Sequence, residues 1–302
     1  MKTAPAGSIR ALFRHPVKSM AAESLASAVV FEDHGVQGDR AFAVLDVETG
    51  RIASAKNPRR WGTLLDYRAR FVEPLAEGQR RGPVTITLPD ETTVRSDGED
   101  VDRRLSTALG REVRLVAEPP PQATYDEHKV ALDESRGEPL AVGASTGTFF
   151  DYAPIHFVTS ATLTRLHALR PASRFDVARF RPNLVIDTGA AEGFVETDWL
   201  GHVVAIGDEV ELCVTFPCPR CVMTTLAQGE LPADPEILRT AATHNKQLFA
   251  LLAKRMPTVG AYATIVRGGT IRVGDEVRLE GRAPLRRAAA FVHSIGRAVR
   301  RR

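Results

Sequence analysis

From Ile9 to Glu118 the apolar positions recur mainly at a spacing of two, the period that sends alternate side chains to opposite faces of a strand. The segments ALFRHPV, AFAVLDVETGRIAS, DYRARFVE and VTITLPDETTVRS read as strands. The second and fourth are expected to be hairpins, turning at Thr49-Gly50 and at Pro89-Asp90. A helix is expected over about Glu99 to Leu109, with Asp97 as N-cap and Gly110 as the stop, followed by the strand REVRLVAE. The run Pro119-Pro120-Pro121 can continue neither a helix nor a ladder, so the domain boundary is placed there.

Beyond it, PIHFVTSATLTRLHAL predicts a strand and then a helix capped by Ser160. Strand patterns follow in RPNLVIDT, HVVAIG, EVELCVTF and GAYATIVRGG, with one helix near Pro235 to Asn245. The last pattern, TIRVGDEVRLEG, reads as a hairpin turning at Gly274-Asp275. Strands outnumber helices, and no β-α-β alternation recurs as a doubly wound sheet requires. The fold class is therefore mostly β (α+β): a β-rich unit over 8–118, an antiparallel barrel with peripheral helices over 119–281, and a tail over 282–302.

That tail holds seven Arg and no acid, leaving 33 basic against 37 acidic residues in the body. Wound as a helix, it puts Leu285, Ala288, Ala289, Val292, Ile295 and Val299 on one face and His293, Arg297, Arg300 and Arg301 on the other. The pattern suits contact with anionic lipid or a partner, and equally a basic solubilising tail or a helix packed on its own domain. The N-terminus has no apolar run of signal-peptide type, and no window resembles a membrane span. Three cysteines cannot build a disulfide framework, so a reducing cytoplasm is expected. Aromatics at 6% and an acidic body argue against nucleic-acid binding.

Two of the cysteines stand in FPCPRCVMTT, Phe216 to Thr225. A structural zinc site needs four ligands, and neither Cys213 nor the scattered histidines supply the missing pair. A thioredoxin-type dithiol needs its reactive cysteine at a helix N-terminus, whereas these flanks are strand-like. What remains is a thiolate beside a guanidinium, Arg220, able to hold an anionic metal complex by metal and anion together, weighed against two buried structural cysteines.

The order HPVKS (His15 to Ser19), GVQGDRAFAVLD (Gly35 to Asp46), RFRPNLVID (Arg179 to Asp187), DWLGHVVAIGD (Asp198 to Asp208), PCPRCVMTT (Pro217 to Thr225) and GTIRVGDEV (Gly269 to Val277) resembles the molybdenum cofactor sulfurase C-terminal (MOSC) family. The likeness is to members with an N-terminal β-rich companion domain, including the amidoxime-reducing ones, and it spans about residues 8 to 281. It implies a molybdenum cofactor, with Cys221 as the protein ligand to the metal and the catalytic residue, and Cys218 in support. It implies that Lys18, Arg40, Arg181 and Arg220 line the cofactor pocket, that Ser19 and Asn183 make polar contacts there, and that Asp151 and Tyr152 lie in a loop approaching it. Gly35 and Gly38 are expected to form the turn that aims Arg40. Pro219 stands where amidoxime-reducing members carry serine, and Leu226-Ala227 replaces Val-Asp, which bears on substrate preference.

The implied activity is molybdenum-dependent reduction of small N-oxygenated substrates such as hydroxylamines, amidoximes or N-hydroxylated bases. No iron-sulfur or flavin motif is present, so a separate electron donor, a reductase or ferredoxin-like protein, is expected. Two other classes remain open: a sulfur carrier bearing a persulfide on Cys221, and a thiol-disulfide oxidoreductase using Cys218 and Cys221. Sulfurases of the family also use a pyridoxal-phosphate domain, and none is visible here.

Overall fold

The computed structural model describes residues 4–120, 124–128, 139–143, 149–249 and 254–283. Its largest element is a closed barrel. Going round, the strands are Ile155–Thr159, Leu184–Asp187, Ala4–Arg14, Glu276–Arg282, His202–Ile206, Val210–Pro219 and Lys254–Arg267, and the last pairs back onto the first. All neighbours are antiparallel except Ile155–Thr159 with Leu184–Asp187, which the helix Ser160–Leu169 joins as a parallel crossover. The interior is filled by inward residues such as Ile9, Leu12, Phe157, Ile186, Leu212 and Val277, all almost fully buried. Val210–Pro219 is covered on both faces, which is why its sequence lacks clean alternation.

The first strand belongs to this barrel. Ala4–Arg14 pairs with Leu184–Asp187 on one side and Glu276–Arg282 on the other, so the division at Pro119 separates the barrel from one of its own strands. A second core, with Val17, Met20, Trp61, Tyr67, Ile86 and Leu105, lies under two smaller sheets. One runs Arg68–Phe71, Val84–Thr87, Thr93–Arg95; in the other, Val113–Val116, Ala43–Asp46 and Arg51–Ile52 continue into Thr124–His128 and Pro139–Gly143.

Both early hairpins form where the turn residues place them: Leu45 opposes Ile52 around Gly50, and Thr87 opposes Thr93. The helix Val101–Leu109 ends on Gly110 at φ 67°, whose N–H reaches the carbonyls of Ser106 and Thr107. Three local expectations change. Asp100 occupies the N-cap position of that helix, because Asp97 is engaged by Arg95. Thr159, not Ser160, caps the crossover helix by accepting from Thr162 N. The final hairpin does not pair with itself: the turn at Gly274-Asp275 exists, but Gly269–Arg272 pairs with Ser27–Phe31 while Glu276–Arg282 enters the barrel. The arginine-rich tail beyond residue 283 lies outside the described residues. No helix among the described residues is long and apolar enough to cross a membrane.

Candidate functional site

A cleft enclosing about 560 Å³ of non-atom space, its open mouth included, lies where the first β-rich unit meets the barrel. From the first unit come Lys18, Ser19, Arg40, Ser54 and Lys56. The barrel and its approach supply Phe150, Asp151, Ala153, His156, Phe180, Arg181, Asn183, Arg220, Met223 and Tyr262. Seven of the residues expected from sequence thus converge: Lys18, Ser19, Arg40, Asp151, Arg181, Asn183 and Arg220. Cys221 and Tyr152 are not among the lining residues. Cys221 is partly buried, between Arg220 and Met223, which both line the cleft; Tyr152 stacks edge-on against Tyr262 and Phe249.

The backbone is bent to build this wall. Among the described residues four non-glycines adopt positive φ, and three of them, Ser19 (65°), Arg40 (51°) and Arg181 (52°), line the cleft. Left-handed backbone costs an L residue roughly 1–2 kcal/mol, a strain that elsewhere clusters at functional sites. Arg40 closes the turn opened by Gly35 and Gly38, at φ 83° and 76°. A Cβ on Gly35 would stand 2.6 Å from Pro154 O, and one on Gly38 2.6 Å from the Phe71 ring, so both turns demand glycine for space as well as conformation. Arg181 ends the short helix Val177–Phe180, with Pro182 after it to prevent continuation.

Five cations face two carboxylates here. Lys18 Nζ donates to Phe149 O at 2.8 Å and to Asp151 at 2.7 Å, with its charge over the Tyr125 ring at 4.2 Å. Lys56 pairs with the other oxygen of Asp151 at 3.2 Å. Burial pulls the Lys18 ammonium down to about 8, against Asp151 and with help from Lys56. Burial alone would raise the Asp151 carboxyl, yet Lys18 and Lys56 hold it well below the carboxylate range. Arg40 pairs with Asp39, which also accepts from His15 N at 2.7 Å. Buried His15 is driven down to about 3 by desolvation and by Arg181.

The two remaining guanidiniums differ. Arg220 spends its donors on protein: Nε on Val259 O at 2.9 Å, one terminal nitrogen on Phe180 O at 2.9 Å, the other facing His156 Nε2 and Val259 O. A guanidinium only donates. His156 Nε2 therefore accepts, and its Nδ1 carries the proton towards Arg181 O at 3.4 Å. Burial and then Arg220 keep this imidazole neutral, far below its ordinary value. Arg181, only 8% exposed, has no hydrogen bond and no ion pair through its guanidinium among the described residues. Burial first, then Arg40, pull it down to about 9. Arg220 is thus held mainly by protein acceptors, whereas the Arg181 guanidinium has none among the described residues.

Ser19 Oγ accepts from Ala55 N at 3.1 Å, so its own proton is available to a ligand. Asn183 Oδ1 accepts from His156 N at 3.1 Å, and its amide nitrogen has only a 3.5 Å approach to Phe13 O. No disulfide joins Cys213, Cys218 and Cys221. Burial pushes the Cys218 thiol up against the pull of Arg220. Among the described residues no three His, Cys, Asp or Glu side chains converge as metal ligands. Sequence reading missed Lys56, Ser54, His156 and Tyr262. The usable signals were an imidazole in the strand IHFVT, buried at every position, and a lone lysine in ASAKNP.

Residues 144–278 match the MOSC domain, and residues 6–112 match the MOSC N-terminal beta barrel domain. The chain is 25% identical over 291 residues to "Mitochondrial amidoxime reducing component 2" of Rattus norvegicus, covering 90% of this chain and 82% of that protein. It is 34% identical over 137 residues to "Mitochondrial amidoxime-reducing component 1" of Mus musculus, covering 44% of this chain and 38% of that one. Among solved structures, the YUAD protein of Bacillus subtilis aligns over 92% of this chain and 97% of its own, at TM-score 0.45 and 10% identity. With both domains matched in order over most of its length, the chain belongs to the MOSC family, in the group carrying the N-terminal beta barrel companion domain.

Proposed function

We propose that the cleft binds the molybdenum cofactor and that the protein is a molybdenum-dependent oxidoreductase reducing small N-hydroxylated substrates. The observation that carries this reading is the buried Arg181 guanidinium, unpaired among the described residues and set beside four other cations with two carboxylates between them. Burying a charge without a partner costs several kcal/mol, and a phosphate or a pterin rich in acceptors offsets that cost. The donors fit such a ligand: Arg181 and Arg40 for charge, Ser19 Oγ and Asn183 Nδ2 for neutral hydrogen bonds. Lys18 and Lys56, bridged by Asp151, hold the opposite wall.

When bound, the cofactor supplies a metal that cycles by two electrons and accepts an oxygen atom. Cys221 provides the soft thiolate such a metal takes, and its neighbours Arg220 and Met223 already reach the cleft. His156 stays neutral and holds Arg220 in place. Cleaving an N–O bond consumes two electrons and two protons and releases water. The three cysteines of these residues are too few for an all-cysteine iron-sulfur cluster, and the reading assigns electron delivery to a reductase or ferredoxin-like protein, in the cytoplasm. The raised, buried Cys218 thiol speaks against a dithiol mechanism.

The test is expression in a cofactor-synthesising host, followed by molybdenum and pterin quantification and turnover of an aryl amidoxime with reduced methyl viologen. Stoichiometric metal with amine or amidine product is expected. Protein that takes up no molybdenum, or that is loaded yet leaves every N-hydroxylated substrate intact, overturns the reading.

A further inference from the structure

We infer that Arg179, which does not line the cleft, is a positioning residue that sets the conformation of the segment carrying Cys221. It is 1% exposed, and its guanidinium donates to four backbone carbonyls: Arg174 at 2.9 Å, Thr224 at 3.2 Å, Leu226 at 3.1 Å and Pro232 at 2.7 Å. Three of these acceptors lie in the eleven residues after Cys221. That segment holds only the single turn Val222–Thr225 and a small bridge between Gln228 and Leu231. Cys221 itself is tied to this turn through its carbonyl, which accepts from Thr224 N at 3.2 Å and Thr224 Oγ1 at 3.1 Å. Arg179 fixes the other end of the same residue by holding the Thr224 carbonyl, with only Val222 and Met223 between Thr224 and Cys221.

The short helix Val177–Phe180 therefore works on three sides. Arg179 grips the turn after Cys221, the Phe180 carbonyl accepts from Arg220 just before it, and Arg181 enters the cleft. A fork of five donors can reach carbonyls on separate strands at once; a lysine presents three donors from one point and cannot span them. This rests on the proposed role of Cys221 only for its meaning, since the geometry stands without a metal.

The experiment compares wild type, Arg179→Lys and Arg179→Ala without cofactor, following alkylation of each cysteine by iodoacetamide with peptide mass spectrometry. Cys213 and Cys218, both buried, report whether the fold has loosened. Arg179→Lys is expected to speed alkylation of Cys221 at least tenfold while Cys213 and Cys218 stay as slow as in wild type. Millimolar guanidinium chloride, but not sodium chloride, is expected to slow Cys221 again in Arg179→Ala. On the cofactor-loaded protein, molybdenum content should fall in both variants. An unchanged Cys221 rate in Arg179→Lys, or a rise shared equally by all three cysteines, overturns the inference. If wild type binds no molybdenum, the proposed function fails while the alkylation result still decides this point.

Discussion

Arg181→Met is expected to make the cofactor-free protein more stable. Arg181 as a residue is 8% exposed and its guanidinium is unpaired among the described residues, and the fall from its ordinary value to about 9 corresponds to about 5 kcal/mol against the charged form. Relaxation and partial solvent access leave only part of that cost. Methionine fills similar volume without charge and keeps the same left-handed backbone penalty, so the substitution isolates the charge. A gain of about 1–3 kcal/mol follows, raising Tm by roughly 2–5 °C for a chain of this length. The order reverses with ligand, because a group that binds only the folded protein stabilises it by mass action, and the variant has lost its anion contact. Calorimetry on both proteins, each prepared with and without cofactor, gives the four melting temperatures. A cofactor-free Arg181→Met protein that melts below wild type would mean Arg181 is structurally satisfied, and the argument for an anion site would fall.

Lys18 gives a pH signature. Its folded value is lowered from 10.5 to about 8, so its cost, about 3 kcal/mol at most, is fully present below pH 8 and is relieved as pH rises from 8 to 10.5. Urea titrations should show wild type gaining on Lys18→Met between pH 7.5 and 10; a constant difference contradicts the burial account. Cys221→Ala should abolish molybdenum retention while Cys218→Ala keeps most of it, as measured by elemental analysis; equal loss in both would restore the paired-cysteine reading. Gly35→Ala meets Pro154 O at 2.6 Å with φ at 83°, and should cost about 2 kcal/mol or more in chemical denaturation, with reduced cofactor uptake through Arg40. A neutral result there would show that the turn shifts freely.

Local chemistry made part of this molecule readable in advance. Gly50, Pro89-Asp90 and Gly110 each force one backbone conformation, and the hairpins and the helix end lie where those residues put them. The Gly274-Asp275 turn was equally genuine, with Gly274 at φ 95°, yet it misled because a turn says nothing about which sheets receive its two arms. Barrel closure was illegible for the same reason: Ile9 pairs with Ile186, both buried, a contact fixed by shared burial across more than half the chain. At the cleft, Lys18, Arg40 and Arg181 stood in recognisable motifs, but which guanidinium keeps donors to spare depends on the Val259 and Phe180 carbonyls, far away in sequence. Lys56 and His156 carried no motif, only an improbable charge and an improbable imidazole among buried neighbours.

The placement of Ala4–Arg14 between Leu184–Asp187 and Glu276–Arg282 also dictates an order of assembly. Synthesis from N- to C-terminus makes this strand long before Leu184–Asp187 and longer still before Glu276–Arg282, so the nascent protein must keep an apolar edge unclaimed in the interval. A gene fragment starting after the proline run would translate into an open sheet with a missing stave, and co-expressing residues 1–118 alongside it should restore solubility in a way that adding salt or lowering temperature does not.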